Sequence, residues 1–577
     1  MRIRSRGMSA LMLTLVSVSG LSCADLHGNS DDGQVSTNEG ALSYPAIPPF
    51  TIAVDSPPIA FLTNAKYQEV KNFNATLVFD NAGVDGIGPT DTALVYAKNN
   101  GLKMIVADSA HINPKAGPPL NSDIDALANH YKSNPTVEGY YIVDEPSATL
   151  FTELQNITRR FKADDPGHMT FVNLFPSEEG LAGEGVLDYG SEFVTSSQSL
   201  GQTFKTPPYM TKISTVQFGI DRSQWSAGEV LTLRLWNSPQ KTSLYAQTSL
   251  STPSDNWPMF PLNAGVLPNT SYYMEITHNG GGDHSVGPLS TSAPGEKFIN
   301  DGTGYKNGIQ TSWDLWFAFN QYNPAGTYDD YVCRWVSKSP DVLSFDYYPF
   351  NISGTVDDHY FENLEIIRMQ AQRNGNAPFW SYIQSIGINN VLRVPNAPEM
   401  RYQIYSTLAY GAKGYIYFGY WTPSNPIFHD AIIQPNGTES PSYVWGKAIN
   451  AEVLKLGPTL MTLTSQQVYQ TGLTIPLNTL VLPATFFVQP NDGAARLSIG
   501  YFKSVGGRTY LMLFNRDTAN SQTVLFMFNP KPAGVTEISK TTGTEVSTPY
   551  DPVTGFLNLT FAPGDGRLFA LPVGYSG

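Results

Sequence analysis

The chain has 577 residues, 41% hydrophobic, 12% aromatic and 15% charged, with 35 Lys and Arg against 49 Asp and Glu for a net charge of −14. A charged share well below the usual ~25% excludes a disordered chain and a coiled coil. An acidic balance without a basic block excludes nucleic acid and anionic membrane surfaces as partners. The many Tyr, Phe and Trp point instead to neutral ligands with flat apolar faces, such as sugars, although core packing draws on the same residues.

Residues 1–24 read as an export signal. Arg2, Arg4 and Arg6 make a basic start, Leu11 to Val18 is apolar, and small residues run to Ala24. The cleavage region admits two readings. Ser22-Cys23-Ala24 fits a small-x-small site, while Cys23 also resembles the lipidated cysteine of bacterial lipoproteins, with Gly20 where Leu is usual. Residues 25–46 are a polar linker. The expected localisation is secreted or cell-surface, the membrane being reached only through a lipid anchor at Cys23. With Cys23 lipidated or removed, the other cysteine, Cys333, is a lone buried thiol on a helix.

From 47 to 187, strand and helix alternate. Ala75–Asp80, Lys103–Asp108, Val137–Asp144 and Met169–Phe175 read as strands, with a first strand near Ile52 or Ile59. Thr90–Asn99, Ser122–Lys132 and Leu150–Lys162 read as helices. Continuous apolar strands between helices mean parallel βα units buried on both faces. From 188 to 322 the helical period disappears, and alternating runs such as Leu231-Thr-Leu-Arg-Leu235 predict an inserted β-sandwich. The βα pattern resumes over 323–460, with strands Val342–Tyr347, Pro378–Gln384 and Gly414–Tyr420 and helices Tyr328–Ser337, Asp358–Asn374, Pro398–Gly411 and Val444–Leu456. Residues 461–577 are β again, with Gly506-Gly507 as a hairpin turn. The fold class is therefore α/β: a (β/α)8 TIM barrel interrupted after its fifth strand by a β-sandwich and followed by a C-terminal β-sandwich. Two half-size domains are the alternative to one barrel.

A barrel of this kind carries its chemistry at the C-terminal ends of its strands. The polar residues there are Asp80, Asn81, Asp108, Asp144, Glu145, Asn173, Asp346 and Gln384. In Tyr140-Tyr-Ile-Val-Asp-Glu-Pro-Ser147 two carboxylates end one strand, and alternation sends Asp144 and Glu145 in different directions, so one of them reaches the centre. In Ser344-Phe-Asp-Tyr-Tyr-Pro-Phe350, Pro349 stops the strand just past Asp346. Carboxylates converging from two strands are the equipment for glycosidic cleavage: one protonates the leaving oxygen, the other attacks carbon or activates water. Glu145, Asp346 and Asp144 are the catalytic candidates. Asp108, Asn173 and Gln384 are candidate polar contacts to substrate, and Tyr348, Trp380, Tyr417 and Trp421 candidate stacking surfaces. A strand-end Asp can also be a helix cap and nothing more. His111, His130 and His168 lie apart without a metal-ligand frame, and Gly280-Gly-Gly-Asp283 reads as a turn, so neither metal nor cofactor is expected.

These features resemble the large (β/α)8 clan of glycoside hydrolases, beta-galactosidase-like barrels especially. Glu145 matches the clan's acid/base Glu at the end of the fourth strand. The stretch from Met400 to Phe418 is similar to its seventh helix and eighth strand, and Trp421 to the aromatic that floors the sugar subsite. The resemblance implies a poly- or oligosaccharide substrate, and it implies that the inserted sandwich is carbohydrate-binding-like, with Trp225, Trp236, Trp257 and Trp313 as its aromatics. Two positions depart from it. Asp144 stands where the clan has Asn, and Gln384 where it has the nucleophilic Glu. A neutral amide cannot be a covalent nucleophile, so the candidates for the second carboxylate are Asp346 and Asp144, and substrate-assisted or inverting chemistry also fits. A non-catalytic glycan-binding protein and an adhesion protein are the competing expectations.

Overall fold

The computed structural model describes residues 49–575 apart from internal stretches, the longest being 178–191, 221–227, 252–257, 290–301 and 320–327. The signal, the linker, Cys23, Asn81, Trp225 and Trp257 lie outside the described residues. Eight parallel strands close into one barrel in chain order. They are β1 (Thr51–Asp55), β2 (Leu77–Phe79), β3 (Lys103–Val106), β4 (Val137–Asp144), β5 (Met169–Leu174), β6 (Leu343–Phe345), β7 (Phe379–Gln384) and β8 (Gly414–Phe418). β8 pairs back onto β1, with Ile52 opposite Tyr415, so no edge is left. The alternative of two half-domains is thereby excluded.

A helix follows each strand: α1 (Asn64–Asn72), α2 (Ile87–Asn99), α3 (Asn121–Tyr131), α4 (Phe151–Asp164), α5 (Tyr328–Val336), α6 (Tyr360–Arg373), α7 (Ala397–Tyr410) and α8 (Pro441–Leu460). Local chemistry sets the ends of α7. Asn396 and Glu399 form a reciprocal capping box, and Gly411 closes the helix at φ 106°, a conformation that favours glycine. Cys333 is buried in α5 as expected.

Period-2 alternation sorts the strand residues into two layers. Ile52, Val54, Met104, Val106, Leu343, Phe345, Tyr415 and Tyr417 face the helices. Ala53, Leu77, Phe79, Ile105, Met169, Phe171, Val342, Trp380 and Ile416 fill the barrel itself. The interior is thus plugged, and the polar residues Asp144, Asn173 and Asp346 lie above the plug at the C-terminal ends of the strands.

The insertion after β5 contains a six-stranded antiparallel sheet and a three-stranded sheet. Leu200, Leu233 and Ile276 of the first share one core with Val216, Phe218 and Phe317 of the second. The C-terminal region repeats this arrangement of six and three strands. Its strand 509–515 is buried on both faces: Leu511 and Leu513 point into the sandwich core, Tyr510, Met512 and Phe514 toward the barrel. The neighbouring strand 497–504 lies so close to α7 that a Cβ on Gly500 would sit 2.3 Å from the Ala409 carbonyl oxygen.

Candidate active site

The site is built by the ends of β4, β5 and β6. In β4, Tyr141 lies opposite Phe171 but Val143 lies opposite Val172, so Ile142 is an extra residue. Such a bulge reverses the alternation beyond it. Ile142 and Val143 both pack outward, and Asp144 turns inward beside Asn173. Glu145 follows at φ 43°, a left-handed conformation unusual for a residue with a side chain, and its N–H donates to the Asn173 carbonyl (2.8 Å). The bulge thus gives Asp144 the inward direction that plain alternation does not fix. The charges of Asp144 and Glu145 both act on the same tyrosines.

Asn173 is the hub. Its Nδ2 donates to Asp144 Oδ1 (3.1 Å) and to Asp346 Oδ1 (3.3 Å), while its Oδ1 accepts from the Ser344 hydroxyl (3.0 Å). Asn173 and Asp346 are buried, whereas Asp144 opens to solvent at the mouth of the well. Although one side of Asp144 meets solvent, the protein atoms crowded around it raise its carboxyl above the ordinary range, against the Asn173 amide, the charge of Lys115 and the Tyr141 hydroxyl, which lower it.

Tyr141, Tyr348 and Tyr382 ring these carboxylates. Burial holds each phenol well above its usual range, and the charges of Asp144, Glu145 and Asp346 add to the effect in all three. Tyr348 stacks on Phe418 with centroids 4.6 Å apart. A further carboxylate, Asp55, ends β1 and adds its charge to Tyr382. One of its oxygens accepts from the Tyr420 N–H (2.9 Å), and burial pushes its carboxyl up to about 6. Sequence reasoning missed Asp55, although Thr51-Ile-Ala-Val-Asp55 ends in a carboxylate just as the next three strands do.

Four expected substrate contacts are corrected. Trp380 is 1% exposed and lies in the barrel plug, 5.9 Å from Phe171. Tyr417 faces the helices, where its hydroxyl donates to Asn450 Oδ1 (2.7 Å). Trp421 is buried, stacked on Phe61. Gln384 is fully buried and spent on backbone: its Oε1 accepts from Phe350 N–H (3.0 Å), and its Nε2 donates to the Phe350 (3.0 Å) and Arg393 (2.8 Å) carbonyls. Asp108 lies beyond the end of β3 and pairs with His111 Nδ1 at 2.9 Å. In the insertion, Trp313 packs against the sandwich core and Trp236 is half-buried on the opposite strand face.

No protein-family model and no curated protein matches the sequence. Several solved structures resemble the chain. A beta-galactosidase from Bacillus circulans sp. alkalophilus is 8% identical, over 91% of this chain and 99% of that one, with a TM-score of 0.41. A glycoside hydrolase family 5 protein from Bacteroides vulgatus ATCC 8482 is 9% identical, over 91% and 89%, with a TM-score of 0.40. A beta-galactosidase from the psychrophilic Marinomonas ef1 is 8% identical over 71% of this chain, which spans 60% of that protein's length, with a TM-score of 0.36. Likenesses this loose assign neither family nor substrate, and the functional reading rests on the barrel mouth itself.

Proposed function

We propose that the chain is an exported glycoside hydrolase that cleaves O-glycosidic bonds with retention of configuration, Asp144 acting as acid/base and Asp346 as nucleophile. One observation carries this reading: both carboxylates hydrogen-bond to a single amide nitrogen, that of Asn173. Two bonds diverging by about 120° from one planar nitrogen set the two oxygens roughly 5–6 Å apart. That is the close spacing of a pair in which one carboxylate attacks carbon, against roughly 6.5–9.5 Å where a water must fit between.

Asp144 takes the acid role because its surroundings favour the protonated form, while solvent at the mouth gives a leaving group room beside it. Its proton passes to the glycosidic oxygen as the bond from that oxygen to the anomeric carbon breaks and an Asp346 oxygen bonds to the same carbon. Water then returns a proton to Asp144 and its hydroxyl bonds to the carbon, releasing Asp346 as carboxylate. Tyr141, Tyr348 and Tyr382 line the reacting zone. This moves the acid/base role from Glu145 to its neighbour. The export part of the reading rests on the basic, apolar and small-residue pattern of residues 1–24.

The test is sugar release by the mature chain from a broad glycan panel, beside Asp144→Asn, Asp346→Asn and Glu145→Gln. The expected loss is about 10³-fold for each Asp variant and less than about tenfold for Glu145→Gln. Azide added to Asp144→Asn should form a glycosyl azide of retained configuration, and added to Asp346→Asn one of inverted configuration. Binding without release from any glycan would overturn the reading in favour of a glycan-binding protein. A full loss in Glu145→Gln with activity kept in Asp144→Asn would return the acid role to Glu145.

A further inference from the structure

Four stretches on one side of the barrel mouth hold no Asp, Glu, Lys, Arg or His. They are 350–356 after β6, 385–392 after β7, 419–428 after β8, and 471–491 in the C-terminal region. Each exposes aliphatic side chains: Ile352 is 60% exposed, Val391 54%, Ile427 45%, Leu473 88%, Leu477 46% and Val481 61%. Short contacts join the stretches into one rim. The Ile352 N–H donates to the Val391 carbonyl (3.1 Å), and the Asn389 N–H to the Ile427 carbonyl (2.8 Å). Gly387–Ile388 pairs with Phe428–His429. Leu477 borders, together with Asn351 and Val356, a cavity of about 820 Å³ between the first stretch and the last. Charges beside the rim are tied up. Arg393 donates to both Glu399 oxygens (2.7 Å), and His429 pairs with Asp430 (3.1 Å). The rim connects to the reacting zone through Phe428, which lies 6.4 Å from Phe418, the ring on which Tyr348 stacks.

We infer that this rim docks on an uncharged lipid surface, which makes the substrate a glycolipid whose sugar headgroup enters the mouth while the aliphatic side chains sit among the lipid's apolar parts. The inference rests on the glycosidase reading and adds to it the setting of the sugar. Isolated exposed aliphatics call for no partner, but these are contiguous and border the site. Three features select lipid as the occupant. A protein seated on the rim would close the mouth, whereas a lipid surface that carries the substrate delivers it. The side chains are aliphatic, while protein contacts draw their strength from Trp, Tyr and Arg and sugars from flat rings. The chain's net charge of −14 repels an anionic surface, and these stretches offer it no Lys or Arg, so a neutral headgroup is the one that fits.

The experiment uses the mature chain without lipid at Cys23, sedimented with vesicles of phosphatidylcholine and of phosphatidylcholine with added phosphatidylserine. Binding should be measurable on the first and weaker on the second. Val391→Asp combined with Leu473→Asp should lower the affinity at least about tenfold with the melting temperature kept, since both side chains lie outside the core. Val505→Asp should leave binding as it is, because Val505 is exposed at the other end of the barrel, by Pro378 and Lys413. The matching turnover test compares octyl and methyl glycosides of one sugar, which share their leaving-group chemistry. The octyl compound should have a kcat/KM at least about tenfold higher, and the double variant should lose that advantage. No binding to neutral vesicles, or binding indifferent to the double variant, would overturn the inference. So would a dimer in lipid-free solution that the double variant breaks, which would make the rim a protein interface. Hydrolysis of short glycosides without vesicle binding leaves the hydrolase reading and removes the rim. Vesicle binding that the double variant abolishes, in a chain that cleaves nothing, leaves the rim and removes the hydrolase reading.

Discussion

Asp144 and Asp346, contributed by strands two apart in the barrel, are held by one amide nitrogen of the strand between them, Asn173. The Ser344 hydroxyl donates to the same amide's oxygen and so fixes which end faces the acids. Removing this clamp should loosen the pair without emptying the site. Asn173→Ala is expected to lower kcat about 10²-fold with KM nearly unchanged, because Asn173 acts by holding the two acids in place. Steady-state kinetics on an aryl glycoside checks this, and a change confined to KM would show that Asn173 only binds substrate.

The charge of Lys115 lowers the Asp144 carboxyl. Taking that charge away must let the carboxyl rise further. If Asp144 is the acid, the basic limb of the kcat/KM profile moves to higher pH in Lys115→Met. A basic limb that stays in place would place the titrating acid on another residue.

Asp80 ends β2 in a buried position, accepting a hydrogen bond from the Thr90 hydroxyl, and its Oδ1 has no hydrogen-bond partner. Burial pushes its carboxyl up to about 8, from 3.8. Between those values the folded chain keeps a proton that the unfolded chain has lost. Stability therefore falls as pH rises from about 4 to 8, by at most about 1.4 kcal/mol per unit for this group. Asp80→Asn should flatten that slope in denaturant titrations at pH 5 and 8. An unchanged difference between the two pH values would show that Asp80 does not carry it.

Gln384 donates to two carbonyls and accepts from one N–H in a fully buried spot. Gln384→Glu would put a carboxylate in this place, yet it removes both donors and buries a charge. The expected result is a loss of roughly 2–4 kcal/mol in stability with no gain in rate. A variant as stable as the parent and faster would contradict the role assigned to Gln384.

Two aromatics separate core from site. Trp380 plugs the barrel, so Trp380→Ala should cost about 3–5 kcal/mol of stability. Tyr348, half-buried against Phe418 at the mouth, should behave the other way: Tyr348→Ala is expected to raise KM about tenfold with a melting temperature shift of a few degrees. Equal thermal losses in the two variants would mean that Tyr348 is core as well.

Much of this architecture was legible in the chain. Seven of the eight strands are marked by apolar runs, and the loss of the helical period from about residue 188 marks an insertion after the fifth strand. These signals are local: a strand buried on both faces must be apolar whatever its neighbours are. The carboxylates at the strand ends were legible for the same reason, since a charge stops an apolar run. Asp55 was passed over because its five-residue strand is short and its start uncertain. Tyr417, Trp380 and Trp421 read as sugar platforms because aromatic residues look alike in sequence whether they face a helix, a barrel plug or a ligand.

What the sequence by itself determined was the order of strands and helices, the place of the insertion and the set of acids available at the barrel's mouth. Which acids meet was decided only in three dimensions. A single extra residue at Ile142 turns Asp144 inward, and the backbone is left-handed at Glu145 just beyond it. Neither is written in hydropathy, because the direction of a strand-end side chain depends on register with the neighbouring strand, and register is set by contacts distant along the chain.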